Sequence, residues 1–115
     1  MDNTLTYQQC ITALLAEYQA YLGGANLQQT DERLKVIIDT EHHHYQLLIV
    51  GWKAGKYRFK VLFHLDIIAN KIWIQQNDTE FSIADELMEK GVLQQDIVLG
   101  FLSERDRAYS GFAST

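Results

Sequence analysis

The middle of the chain constrains the fold most strongly, because it holds four stretches rich in β-branched and aromatic residues, separated by short turns. Such residues favour a pleated strand. Two of the turns contain Ala54-Gly55 and Ala69-Asn70, and a residue that tolerates a positive φ is typical of two-residue hairpin turns. The sequence therefore predicts four strands in meander order, namely Leu34 to Ile38, Tyr45 to Trp52, Tyr57 to Ile68 and Ile72 to Gln76.

Helical patterns flank these stretches. Apolar residues recur every three to four positions from Tyr7 to Leu22, which predicts an amphipathic helix. Ser82, three residues before Asp85, predicts the start of a second helix that ends near Gly91, and residues 103–109 could form a further short helix. The predicted fold class is α+β, with residues 1–115 as a single domain. It is a two-layer sandwich with an N-terminal helix, a four-stranded antiparallel meander sheet and short C-terminal helices.

Composition excludes several classes of protein. The chain has 115 residues, no proline and a single cysteine, so it is neither collagen-like nor built on internal disulfides. Cys10 suits a reducing compartment, and the sequence shows neither a signal peptide nor a membrane-spanning run, which predicts a cytoplasmic protein without membrane contact. The net charge of −5 is opposite to that expected of a dedicated duplex-DNA binder.

The turn at Ala54-Gly55 also predicts the register of the second and third strands. Trp52 should face Tyr57, Val50 should face Phe59 and Leu48 should face Val61, so that these side chains share one apolar face of the sheet. We expect that face to continue through Phe63 and Leu65 and to be covered by the helices.

The opposite face would then carry polar side chains. The same register places His43 opposite Asp66 and Tyr45 opposite His64, and the next hairpin places Trp73 beside Asp66 and Gln75 beside His64. An open face that exposes Trp73 and Tyr45 is typical of a contact surface, either for a partner or for a second copy in a homodimer. The candidate interaction surface is therefore His43, Tyr45, His64, Asp66, Trp73 and Gln75.

Imidazole and carboxylate groups could also bind a metal ion or act as acid and base. The spacing supports neither strongly, because in the run from Glu41 to His44 only His42 and His44 share a side of a strand, and no HExxH or CxxC pair accompanies them. No Gly-rich phosphate loop or GxSxG motif is present either. The sequence favours polar packing or a protein interface and predicts no enzyme, no catalytic residue, no metal and no cofactor.

Charge is distributed unevenly along the chain. Lys53, Lys56, Arg58 and Lys60 form a candidate basic patch without an intervening acid, whereas residues 78–89 carry five acids and no base. The aromatic residues between these bases should point to the opposite face, which argues against a platform for stacking nucleotides. Both charged stretches are typical of solvated surface, and the functional alternative is an acidic helix that faces a basic partner together with a basic hairpin that touches phosphate.

Ordered motifs run along nearly the whole chain. They include His43-His44-Tyr45-Gln46-Leu47-Leu48, Val50-Gly51-Trp52, His64-x-Asp66-Ile67, Lys71-Ile72-Trp73-Ile74-Gln75, Asp96-Ile97-Val98-Leu99-Gly100-Phe101 and Arg107-x-Tyr109-x-Gly111-Phe112. With these motifs the chain resembles the XisI family, the fdxN element excision controlling factors of cyanobacteria. One departure is that Leu102-Ser103-Glu104 stands where the family commonly has proline after its Gly-Phe pair.

The resemblance implies a regulatory role in the excision of a DNA element, together with an XisH-type companion protein and a site-specific recombinase that performs the chemistry. It transfers no catalytic residues. Two alternatives remain open at this point. The chain could antagonise a nuclease-like companion in the manner of an antitoxin, or it could be an accessory factor that touches DNA weakly through the basic patch.

Overall fold

A computed structural model describes residues 2–23 and 30–115. Most of the predicted polar loop from Ala25 to Asp31 lies outside those residues. Among the described residues, no helix is long and apolar enough to span a bilayer. The elements are α1 (Thr4–Leu22), β1 (Arg33–Asp39), β2 (His44–Lys53), β3 (Lys56–Ile68), β4 (Lys71–Asn77), α2 (Ile83–Glu89), a 3-10 turn (Gln94–Asp96), β5 (Ile97–Leu99) and α3 (Glu104–Arg107).

The described strands form one sheet in the order β1-β2-β3-β4-β5. The first four strands are antiparallel, as predicted. The prediction of four strands is corrected by β5, which pairs in parallel with β4. The backbone N–H of Gly100 donates to the carbonyl of Ile74 at 2.8 Å and that of Ala113 to Ile97 at 2.9 Å, so the C-terminal segment continues this edge of the sheet.

Helices α1 and α2 cover one face of the sheet. The buried face of α1 presents side chains at the three-to-four spacing that the sequence shows, and Tyr18 meets Phe63 edge to face with ring centroids 5.4 Å apart. The α+β two-layer architecture is therefore confirmed; the face turned away from α1 is called the open face below. The core contributed by α1, the sheet and α2 includes Tyr7, Ile11, Leu14, Leu15, Tyr45, Leu47, Leu65, Ile72, Ile74, Ile83 and Leu87.

Side-chain caps start both C-terminal helices. The Ser82 hydroxyl accepts a hydrogen bond from the Asp85 N–H, and the Ser103 hydroxyl accepts one from the Asp106 N–H, each at 3.2 Å. These bonds satisfy backbone donors that have no partner inside the helix. Ser103 thus starts α3 at the place where the resembling family commonly has proline.

A bulge corrects the predicted faces of the sheet. The predicted pairs hold from Lys53↔Lys56 to Leu48↔Val61, but Leu47 then pairs with Phe63, so Leu62 is an extra residue in β3. One extra residue moves every later side chain of that strand to the other face. Phe63 and Leu65 therefore face α1, whereas Phe59 and Tyr57, which were expected beside them, lie on the open face.

Both predicted two-residue turns are present. Ala54 and Gly55 have φ of 50° and 77°, and Ala69 and Asn70 have φ of 50° and 65°. Alanine adopts this left-handed region at a steric cost of about 1–2 kcal/mol, whereas asparagine visits it more readily.

We expect Ala54→Asn to raise the free energy of unfolding by about 0.5–1 kcal/mol, because asparagine suits the first position of this turn. Urea denaturation measures the change. The matched control is Ala108→Asn, since Ala108 has φ of −60° and offers no left-handed strain to relieve. An equal gain at both positions would show that turn geometry is not the cause.

Candidate functional site: the open face of the sheet

Cross-strand rows of side chains define the open face. Residues directly opposite in a sheet point to the same side. The rows run from a polar end near the start of β2 to an aromatic end near the turn at Gly55. They are His44-Asp66-Trp73, Ile37-Gln46-His64, Lys35-Leu48-Val61, Arg33-Val50-Phe59 and Trp52-Tyr57.

His44, His64 and Asp66 form the histidine cluster at the polar end. The Asp66 Oδ1 lies 2.6 Å from the His44 Nδ1 and 2.7 Å from the His64 Nε2. The Gln46 Oε1 is 2.9 Å from the His64 Nδ1, and the Gln75 amide donates to the Asp66 Oδ2 at 3.2 Å. A single carboxylate thus joins two imidazoles, and two amides fix its orientation and that of His64.

The hydrogen bonds of the cluster move the pKa values of Asp66 and His44. Burial would raise the pKa of Asp66, but the hydrogen bonds from His44 and His64 outweigh it and hold that pKa below its usual range. The hydrogen bond to Asp66 raises the pKa of His44 above its usual value. Asp66 therefore stays ionised, and a cation beside it is stabilised.

The predicted position of His43 opposite Asp66 is wrong. His43 lies before β2 with φ of 60°, and its Nδ1 is 3.1 Å from the Tyr45 hydroxyl. The bulge at Leu62 moves the pairing by one residue, so His44 rather than His43 faces Asp66. The neighbouring pairs change with it, since Gln46 rather than Tyr45 faces His64.

Tyr45 was also misplaced. It pairs with Leu65 and is fully buried under the helices rather than exposed on the open face. Burial raises the pKa of its hydroxyl. Tyr45 therefore belongs to the core and does not contribute to a contact surface.

Trp73 and Gln75 do lie near the cluster. Trp73 faces Asp66 as predicted, but the guanidinium of Arg107 lies 5.3 Å from its ring centroid and the ring is only partly exposed. The prediction of an open tryptophan is thus corrected, because the C-terminal segment lies over it. A second bulge in β4 makes Gln76 the partner of His64, while the side chain of Gln75 reaches Asp66 instead.

The other end of the open face carries the aromatic patch, defined as Trp52, Tyr57 and Phe59. These side chains are 54%, 56% and 65% exposed, and the rings of Trp52 and Tyr57 meet edge to face at 5.3 Å. The alternation of side chains along β2 and β3 on either side of the Ala54-Gly55 turn shows only that these three rings share a face. The bulge decides which face it is, and the sequence carries no local signal for that bulge.

The candidate basic patch lies on the other side of the same hairpin. Arg58 makes hydrogen bonds of 2.7 and 3.1 Å to the carboxylate of Glu32, which is only 1% exposed. The Lys60 ammonium is 3.9 Å from the Asp78 carboxylate. Two of the four predicted bases are thus paired with acids, and none shares a face with the aromatic patch, as the sequence indicated.

The acidic second helix also uses part of its charge internally. The Tyr18 hydroxyl donates to the Glu86 carboxylate, and Lys90 pairs with Glu17 of α1. Burial and the bond to Glu86 raise the pKa of Tyr18. These contacts attach α2 to α1 and turn the Glu86 carboxylate toward α1.

In the described residues, α1 packs on one face of a mixed sheet, and the histidine cluster lies on the opposite face. This arrangement belongs to the α+β class. The family model described as "XisI protein" matches residues 1–114. The chain belongs to the XisI family.

Two solved structures from Anabaena variabilis ATCC 29413 are similar to the chain. A XisI-like protein shares 34% identity and a TM-score of 0.85, over 96% of this chain and 97% of that one. The fdxN element excision controlling factor XisI shares 31% identity and a TM-score of 0.77, over 99% of this chain and all of that one. Among curated proteins, none matches the chain.

Proposed function

We propose that this chain is a regulatory protein that controls excision of a DNA element and acts by binding another protein rather than by catalysis. The similar protein from Anabaena variabilis is named an excision controlling factor, and the likeness covers 99% of this chain at 31% identity. A recombinase would then cut and rejoin the DNA, and this domain would regulate it.

The aromatic patch is the observation that best supports binding. Three large rings are each more than half exposed on one end of the open face. Aromatic side chains dominate the binding energy of protein interfaces, and an exposed cluster of them marks a contact surface. Arg33, in the same row as Phe59, adds a positive charge beside the patch and suits an acidic edge on the partner.

The partner we propose is the XisH-type companion that the family resemblance implies. A catalytic role is less well supported, because the histidine cluster is hydrogen-bonded to the amides of Gln46 and Gln75, and neither amide is a nucleophile. Direct contact with DNA is not favoured either, given the net charge of −5 and the carboxylate partners of Arg58 and Lys60.

Co-expression with the XisH-type companion followed by gel filtration tests the proposal. We expect the two chains to elute together at micromolar concentration, since an interface centred on three aromatic anchors is of the kind that gives such affinities. Separate elution of the two folded proteins would contradict it. If the chain instead elutes alone as a dimer, and Phe59→Ser makes it monomeric, the aromatic patch serves a second copy.

A further inference from the structure

We propose that the histidine cluster is a binding site for one divalent transition-metal ion of the Zn²⁺ class. The sequence predicted no metal, since the run of histidines lacks a recognisable ligand spacing. The structure brings the ligands together from two strands instead. The site is independent of the partner proposed above.

The ligand atoms converge on one point. One ligand atom from each of His44, His64 and Asp66, an imidazole nitrogen or a carboxylate oxygen, lies within 4.8 Å of the other two. They come from adjacent antiparallel strands, with His44 directly opposite Asp66 and His64 two residues earlier on the same face. Two imidazole nitrogens and one carboxylate oxygen form a ligand set that suits Zn²⁺ and similar ions.

The size of the cluster fits a small ion after a modest movement. Tetrahedral geometry with bonds of about 2.0–2.1 Å places ligand atoms about 3.3 Å apart. The present separations of 2.6 and 2.7 Å must therefore widen by less than about 1 Å. His44 can supply this movement, because its side chain is 52% exposed.

Outer hydrogen bonds already hold the ligands in place. The Gln46 Oε1 accepts from the His64 Nδ1–H, so the Nε2, which donates to Asp66 in the metal-free chain, is the nitrogen that exchanges its hydrogen for an ion. The Gln75 amide fixes the second oxygen of Asp66. Metal-binding histidines and carboxylates in proteins are usually oriented by such partners.

The open face leaves room for a further ligand. His44 is exposed to solvent, and α1 lies on the other side of the sheet. Three protein ligands with a free position are typical of sites where water or another molecule completes the coordination.

Titration of the untagged, metal-free chain with Zn²⁺, followed by calorimetry, tests the site. We expect saturable binding of one ion per chain, and we expect His44→Asn and His64→Asn to weaken it at least about tenfold. The matched control is His43→Asn, because His43 is the adjacent histidine that the register excludes from the cluster and asparagine tolerates its positive φ. His43→Asn should keep wild-type affinity.

Absence of saturable binding in the wild type would overturn the proposal and leave the cluster a hydrogen-bonded network. An equal loss in His43→Asn would overturn it too. If a variant melts at a lower temperature without metal, the visible spectrum of Co²⁺ bound to the wild-type chain replaces the comparison of Zn²⁺ affinities. A visible spectrum of tetrahedral nitrogen and oxygen coordination supports the site, and the spectrum of hydrated Co²⁺ rejects it.

Discussion

Gly51→Ala is expected to lower the free energy of unfolding by about 3 kcal/mol or more. Gly51 has φ of 139°, a conformation that side chains rarely adopt. A Cβ at this position would lie 2.2 Å from the Asp31 carbonyl oxygen and 2.7 Å from the Glu32 Cα. Both obstacles are backbone atoms, so no side-chain rotation relieves the clash.

The backbone of Asp31 and Glu32 passes close to Gly51 directly before the chain enters β1. The Asp31 N–H donates to the Trp52 carbonyl at 3.2 Å, and the next residue, Glu32, is buried against Arg58. Moving the backbone away from Gly51 would disturb both contacts. The substitution therefore affects the start of β1 as well as β2.

Urea denaturation of Gly51→Ala beside Gly55→Ala measures this effect. Gly55 also has a positive φ, of 77°, but a Cβ there meets nothing within 4 Å, so its loss should be only about 1–2 kcal/mol. Similar losses at the two glycines would show that the backbone contact with Asp31 and Glu32 carries no special cost.

Much of the fold follows from local chemistry. The three-to-four spacing of α1, the serine caps of α2 and α3 and the two tight turns each depend on residues close together in sequence, and each is confirmed. The strand β5 is different. Its three residues are held by β4 on one side and by a bridge between Val98 and Ala113, contacts that no local pattern encodes.

The candidate site was only half predictable for a similar reason. His64, Asp66 and Trp73 were placed correctly on one face, because alternation along a strand and a short turn determine their positions. His44 was missed because Leu62 is an extra residue in β3, and no glycine or other local pattern marks that bulge in the sequence. The same register shift puts the aromatic patch on the open face, whereas the sequence assigned its residues to the core. The alternating run of histidines was the one available signal, since it left His42 and His44 on the same side.

The second large effect concerns binding. Phe59→Ser is expected to weaken binding of the XisH-type companion by about 30-fold or more, because a central aromatic anchor at an interface is worth about 2 kcal/mol or more. Phe59 is 65% exposed, so its removal takes little from the core of the domain. The free energy of unfolding should therefore stay close to that of the wild type.

Leu5→Ser is the matched control for this substitution. Leu5 is 66% exposed but lies on α1, on the opposite side of the sheet from the aromatic patch. Leu5→Ser removes an apolar side chain about as exposed as Phe59 without changing the open face. Its affinity for the companion should equal that of the wild type.

Calorimetric titration of the companion with the wild type, Phe59→Ser and Leu5→Ser tests most directly whether the open face binds the partner. We expect saturable binding of the wild type and of Leu5→Ser, with the affinity of Phe59→Ser reduced about 30-fold or more. Equal affinity of Phe59→Ser and the wild type, with all three proteins folded, would contradict it.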